Sequence, residues 1–103
     1  MDDRLALQAL LEQAFPELKV YYRPTEFTLE YPCIVYDMTN HIATHANDKP
    51  YILGTSFQVT LLSTVFEDVD TKRMFKIPAV RHVRSYTEKN IVHDVYTVSI
   101  KAS

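Results

Sequence analysis

His41 and His45 stand four residues apart in the run HIATH. On a helix that spacing presents both imidazoles to one metal ion, but a zinc hydrolase also needs a glutamate beside the first histidine. Ile42 occupies that place, and the surrounding run reads as loop, so both are expected as solvent-facing loop histidines with no bound metal. Cys33 is the only cysteine, which excludes an internal disulfide and a cage of several thiolates. It lies in the apolar run PCIVY, where a buried thiol acting as a small hydrophobe is expected. A nucleophilic thiol would need an electropositive, part-exposed setting. With the single glycine Gly54, phosphate-cradling loops of the GxGxxG or GxxxxGK type cannot be built, and no GxSxG elbow occurs. Glu67, Asp68 and Asp70 are so close in sequence that they read as helix-start acids rather than an acid–base pair. Neither an enzyme nor a cofactor is expected.

Lys72, Arg73, Lys76, Arg81 and Arg84 concentrate the positive charge in one stretch. Such a stretch suits phosphate or an acidic protein surface, and it also suits a solvated helix end whose dipole favours cations. Seven tyrosines, among them Tyr21, Tyr22, Tyr31, Tyr36 and Tyr51, fit interfaces as well as half-buried sheet positions.

The chain that must position these groups has 103 residues, enough for one domain over 1–103. Hydrophobic residues at 47% and charged residues at 23% describe an ordinary globular mixture. Eleven Lys and Arg against thirteen Asp and Glu leave −2, so net charge does not select nucleic acid or an anionic membrane. The start, MDDRLALQALLEQAF, is acidic where a secretory signal is basic, and no segment has the ~20 apolar residues of a membrane span. A reducing cytoplasm, or a particle assembled in one, is the expected compartment.

Leu7, Leu10, Leu11 and Ala14 follow helical spacing and predict a helix over Asp3 to Ala14, stopped by Pro16. Leu18 to Arg23 reads as a short strand, and Cys33 to Met38 as a central strand covered on both faces. Asn40 to Pro50 is rich in turn formers and reads as a loop. Tyr51 to Thr64 alternates, with Phe57, Val59 and Leu61 on one face and Gly54 marking a bulge or bend. Asp68 to Ile77 predicts a short helix capped by Asp68 and ended by Pro78. Val80–Thr87 and Ile91–Ile100 predict a hairpin with the three-residue loop Glu88-Lys89-Asn90. That register opposes Tyr86 to Val92, Arg84 to Asp94, His82 to Tyr96 and Val80 to Val98, and leaves His82 and His93 on opposite faces. A two-residue loop would instead oppose Ser85 to Asp94. The result is an α+β domain of order α-β-β-β-α-β-β, with helices on a small antiparallel or mixed sheet.

The order of a short helix, a strand, YPCIVYD at 31–37, a polar loop, PYILGTSFQVTLLST, an acid-started helix ending in IP and a hairpin with NIVHDVYTVSI resembles a known group. These are the small tail terminator and tail-completion proteins of tailed bacteriophages, with the wider head–tail joining proteins. The resemblance implies a structural virion protein that forms a ring, often a hexamer, at the neck. Its implied partners are other copies of itself, the tail tube protein and the head connector or other neck proteins, with no membrane. Genomic DNA would pass through the lumen without specific binding. Ring closure needs a heterologous interface, for which the strand edges and the polar loop are available. Interface candidates are His41, His45, Asp48 and Lys49 on the loop, and Lys72, Arg73 and Lys76 on the second helix. The net charge of −2 makes an acidic or mixed lumen the expectation, with those three cations facing neighbouring proteins. Reversing Arg73 to Glu is expected to block head–tail joining or ring formation while leaving a folded monomer. The alternative is a small adaptor that binds protein or nucleic acid through residues 72–84.

Overall fold

A computed structural model describes residues 3–22, 30–46, 49–65 and 69–101. Helix α1 spans Asp3–Ala14, and the strands are β1 (Lys19–Tyr22), β2 (Cys33–Ala46), β3 (Lys49–Thr64), β4 (Val80–Glu88) and β5 (Ile91–Lys101). A 3-10 helix over Thr71–Lys76 separates β3 from β4. The five strands form one sheet in the order β1-β2-β3-β5-β4, with β1 parallel to β2 and the other pairs antiparallel. The architecture is the expected α+β one.

One face of this mixed sheet carries the core. The apolar stripe of α1 brings Leu7, Leu11 and Phe15 onto Ile34, Tyr36, Phe57, Val59, Leu61, Tyr96 and Val98, all buried. Leu18, Met74 and Ile77 close the edges of this layer. Leu10 and Ala14 flank it, as their spacing requires. Tyr36, 1% exposed, keeps its hydroxyl satisfied by donating to Gln8 Oε1 at 2.5 Å, which ties helix to sheet. The opposite face has no helix on it among the described residues. There Cys33 is buried, Val35 is half-buried and Asp37 is exposed, so the coverage expected on both faces of β2 is confined to its Cys33 end.

Three expectations are corrected. In the span 40–50, expected as a loop, the described residues are strand: β2 runs on to Ala46 and β3 begins at Lys49, paired from Asn40 opposite Ser56 to Ala46 opposite Lys49. The helix expected over Asp68 to Ile77 is a 3-10 helix of six residues, capped by Asp70, whose side chain accepts from the Lys72 N–H at 3.2 Å. The last hairpin turns through two residues, Lys89 and Asn90, with φ of 52° and 66°, the pattern of a type I′ turn. Ser85 therefore opposes Asp94, and Arg84 opposes Val95. A bulge between His82 and Arg84 then absorbs one residue, so His82 meets Tyr96 and Val80 meets Val98 as expected.

Gly54 adjoins a second irregularity, where Ile42 pairs with Gly54 but Ala43 pairs with Ile52. Beyond it the β2–β3 hairpin leaves the sheet. β1 flanks β2 only as far as Tyr36, and β5 flanks β3 only from Gly54 onward. Ala43–Ala46 and Lys49–Ile52 thus form a two-stranded arm with no third strand beside it among the described residues, on a molecule 54 Å long and 24 Å across.

Candidate functional site

The 3-10 helix sits between α1 and the β4–β5 hairpin, and its period of three residues sorts its side chains into three rows. Met74 and Ile77 point into the core. Arg73 and Lys76 turn toward α1, and Lys76 borders a shallow groove with Leu10, Gln13, Ala14 and Ile77. Phe75 turns toward the hairpin, its ring edge-on to Tyr96 with centroids 6.2 Å apart. Lys72 shares that row. The three cations grouped by the sequence therefore serve different surfaces.

Arg73 is an internal tie. Its Nη1 donates to the Ala14 carbonyl at 3.3 Å, near the end of α1, and its Nη2 lies 2.5 Å from Glu17 Oε1. The guanidinium stacks over the Phe15 ring at 4.3 Å, and Nε donates to the Asp70 carbonyl at 3.2 Å. Hydrogen bonding from Arg73 holds the Glu17 carboxyl below its usual pKa, and Glu17 in turn raises that of Arg73. An exposed contact residue would keep its charge free. Reversing Arg73 would therefore weaken the seam between α1 and the 3-10 helix. Lys72 and Lys76 are exposed, and among the described residues neither ammonium has an anionic partner.

Among the described residues strand β4 is an edge, paired only with β5, and from Arg81 to Glu88 its side chains are exposed. On the helix-bearing face His82 stacks edge-on to Tyr96 at 5.1 Å, continuing the row from Phe75. Burial raises the Tyr96 phenol above its usual pKa, and the charge of Asp94 adds to that. On the other face Tyr86 stacks flat on His93 at 4.5 Å, with Arg84 over the Tyr86 ring at 5.8 Å. His82 and His93 thus lie on opposite faces, as expected. Arg81 opposes Thr97 and has no anionic partner among the described residues.

His82, Ser85 and Asp94 come together but in the wrong order for nucleophilic catalysis. Ser85 donates its hydroxyl proton to Asp94 Oδ1, and His82 Nε2 lies 2.9 Å from Ser85 Oγ. With the serine proton committed to the carboxylate, the network assigns the Nε2 proton to His82 as a donor. A serine nucleophile needs the carboxylate on the far side of the imidazole, orienting it as a base. Here the carboxylate is on the serine, and the cluster pins the hairpin register.

His45 and Lys49 lie on the arm, and His41 lies just before it in β2. His41 opposes Thr55 and His45 opposes Pro50 along β2, while Lys49 opens β3 opposite Ala46. Asp48 lies outside the described residues. Strand geometry sets His41 and His45 about 13 Å apart at ~3.3 Å per residue, which removes the convergence that a helix would give. Cys33 is buried and forms no disulfide.

Phe75, Val83 and Tyr86 were not singled out by spacing, yet they are among the large apolar side chains left exposed, Phe75 at 61% and Val83 at 49%. An aromatic in a helix that should bury it was the one visible signal for Phe75. No protein-family model and no curated protein sequence matches the chain.

Proposed function

We propose that the chain is a ring-forming neck protein of a tailed bacteriophage, a hexamer that caps the tail tube and meets the head connector. The observation that carries this reading is the arm formed by Ala43–Ala46 and Lys49–Ile52. An isolated two-stranded ribbon is at best marginal in water, so an arm of this kind is supported by lying on another surface. The arm and the body of the sheet are different patches, so contact between them from copy to copy is heterologous and closes a ring when the rotation fits. His41, His45 and Lys49 enter that contact by position, with Asp48 between them in sequence. Lys72 and Lys76 face neighbouring neck proteins, and DNA passes a lumen of acidic or mixed charge. The tube protein, the connector and the virion location come with the same reading, and the site needs no cofactor, metal or membrane.

The test replaces Ala43–Leu53 by Asn-Gly, which joins Ile42 to Gly54 by a short turn. In the phage that encodes the chain, the trimmed gene yields DNA-filled heads and separate tails, while the purified variant keeps its fold by circular dichroism. Antibody to the intact protein labels the head–tail junction of whole particles. Normal joining by the trimmed gene, or no label at the junction, overturns the proposal.

A further inference from the structure

Among the described residues strand β4 has an unpaired outer edge, and its helix-free side carries two arginines. Arg81 and Arg84 oppose Thr97 and Val95, on the face that bears no helix, and Lys72 with exposed Phe75 borders the helix-bearing face. Among the described residues nearby, Asp94 accepts from Ser85, Glu17 pairs with Arg73, and Asp70 caps the 3-10 helix. Glu88 stands apart, at the turn end of the strand. Beside the bulge, Ala79, Arg81, His82, Val83, Thr97 and Ser99 line a shallow cleft.

From this we propose that β4 is a docking edge for an extended acidic segment of another protein, added as a sixth strand. The side chains of an added strand alternate between faces. Those on the helix-free side meet Arg81 and Arg84, and so are acidic. Those on the other side meet Phe75, His82 and the row running to Tyr96, and so are apolar. The same cations disfavour a second copy of β4, because two such edges would set Arg against Arg, and the bulge at Val83 further spoils self-pairing. The edge is thus guarded against its own kind and open to the opposite charge. This goes beyond the ring assignment and does not depend on it.

The probe is the capped heptapeptide acetyl-VEVEVEV-amide, titrated into the isotope-labelled full chain and followed by amide chemical shifts. The expected result is a set of shifts centred on Val80–Glu88, slowed amide exchange along that strand, and affinity that weakens at least fivefold from low to high salt. The Lys counterpart, VKVKVKV, binds at least tenfold more weakly. The double variant Arg81→Glu/Arg84→Glu reverses this preference, which also shows that it is folded. A VEVEVEV peptide N-methylated at alternate residues keeps its charge but cannot form the ladder, and it loses at least tenfold. Shifts centred elsewhere, no binding, equal binding of the Lys peptide or equal binding of the N-methylated peptide overturns the proposal. So does an oligothymidylate of equal charge that reproduces the same shifts at the same affinity. Each of these outcomes leaves the arm-trimming experiment free to succeed or fail.

Discussion

Arg73 and Glu17 join the 3-10 helix to the segment after α1, Nη2 lying 2.5 Å from Oε1 while the guanidinium covers Phe15. The pair closes the seam over the core residues Phe15, Leu18, Met74 and Ile77. Arg73→Glu removes the stacking and the bond to the Ala14 carbonyl, and places a second carboxylate beside Glu17. We expect it to lower Tm by roughly 5–10 °C, an effect of the size usual when a part-buried network is broken. Lys72→Glu, one residue away on the exposed row, should move Tm by about 1–2 °C or less. Equal melting of the two variants would remove the internal role of Arg73.

The same pair gives stability a definite pH dependence. Glu17 is lowered from 4.5 by hydrogen bonding to Arg73 first and to the backbone second. A carboxyl depressed in the folded state stabilises fully above its unfolded value and loses that contribution as pH falls through its folded value. The difference in urea midpoint between wild type and Glu17→Gln should therefore be constant above about pH 5 and shrink toward pH 3. A difference that grows on acidification would contradict the assigned sign.

Helix α1 and the alternation of Phe57, Val59 and Leu61 were legible because each element buries one face, and burial imposes a period. The stretch from Asn40 to Ala46 carried no such signal. Among the described residues no third strand flanks that end of the hairpin, and its turn-forming residues read as loop. Asp68 is the cap expected from the sequence, and the bond from Lys72 N–H to Asp70 puts the cap two residues later. The bulge at Val83 has no local cause in sequence. It reconciles a two-residue turn at Lys89-Asn90 with the need to bring Val80 against Val98 in the core layer. Arg73 looked like its basic neighbours, and only the three-residue period of its helix separates it from Lys72.

The hairpin register can be checked by energetics. Ser85 donates to Asp94, whereas Arg84 lies opposite Val95 on the other face. A double-mutant cycle of Ser85→Ala with Asp94→Ala should give a coupling of about 0.5–1.5 kcal/mol, as for a hydrogen bond to an exposed carboxylate. The cycle of Arg84→Ala with Asp94→Ala should stay below about 0.3 kcal/mol. Larger coupling for Arg84 would restore the three-residue loop.

Ala79 links the 3-10 helix to β4 with a φ of 58°, a left-handed conformation that a Cβ disfavours. Pro78 before it cannot supply a backbone N–H, and the Ala79 carbonyl accepts from Ser99 N–H at 3.4 Å, so the turn is held from one side. Glycine would relieve the steric clash but would also gain freedom in the unfolded chain. The two effects oppose each other, and relief of the clash is the larger. Ala79→Gly should therefore raise stability by about 0.3–1 kcal/mol with an unchanged urea m-value. Ala79→Val adds a branched Cβ to the same backbone and should cost about 1–3 kcal/mol. The contrast matters because a smaller and a larger side chain at an exposed site would otherwise both be near neutral. If the glycine variant is the less stable of the two, the positive φ is not present in solution, and the entry into β4 takes another path.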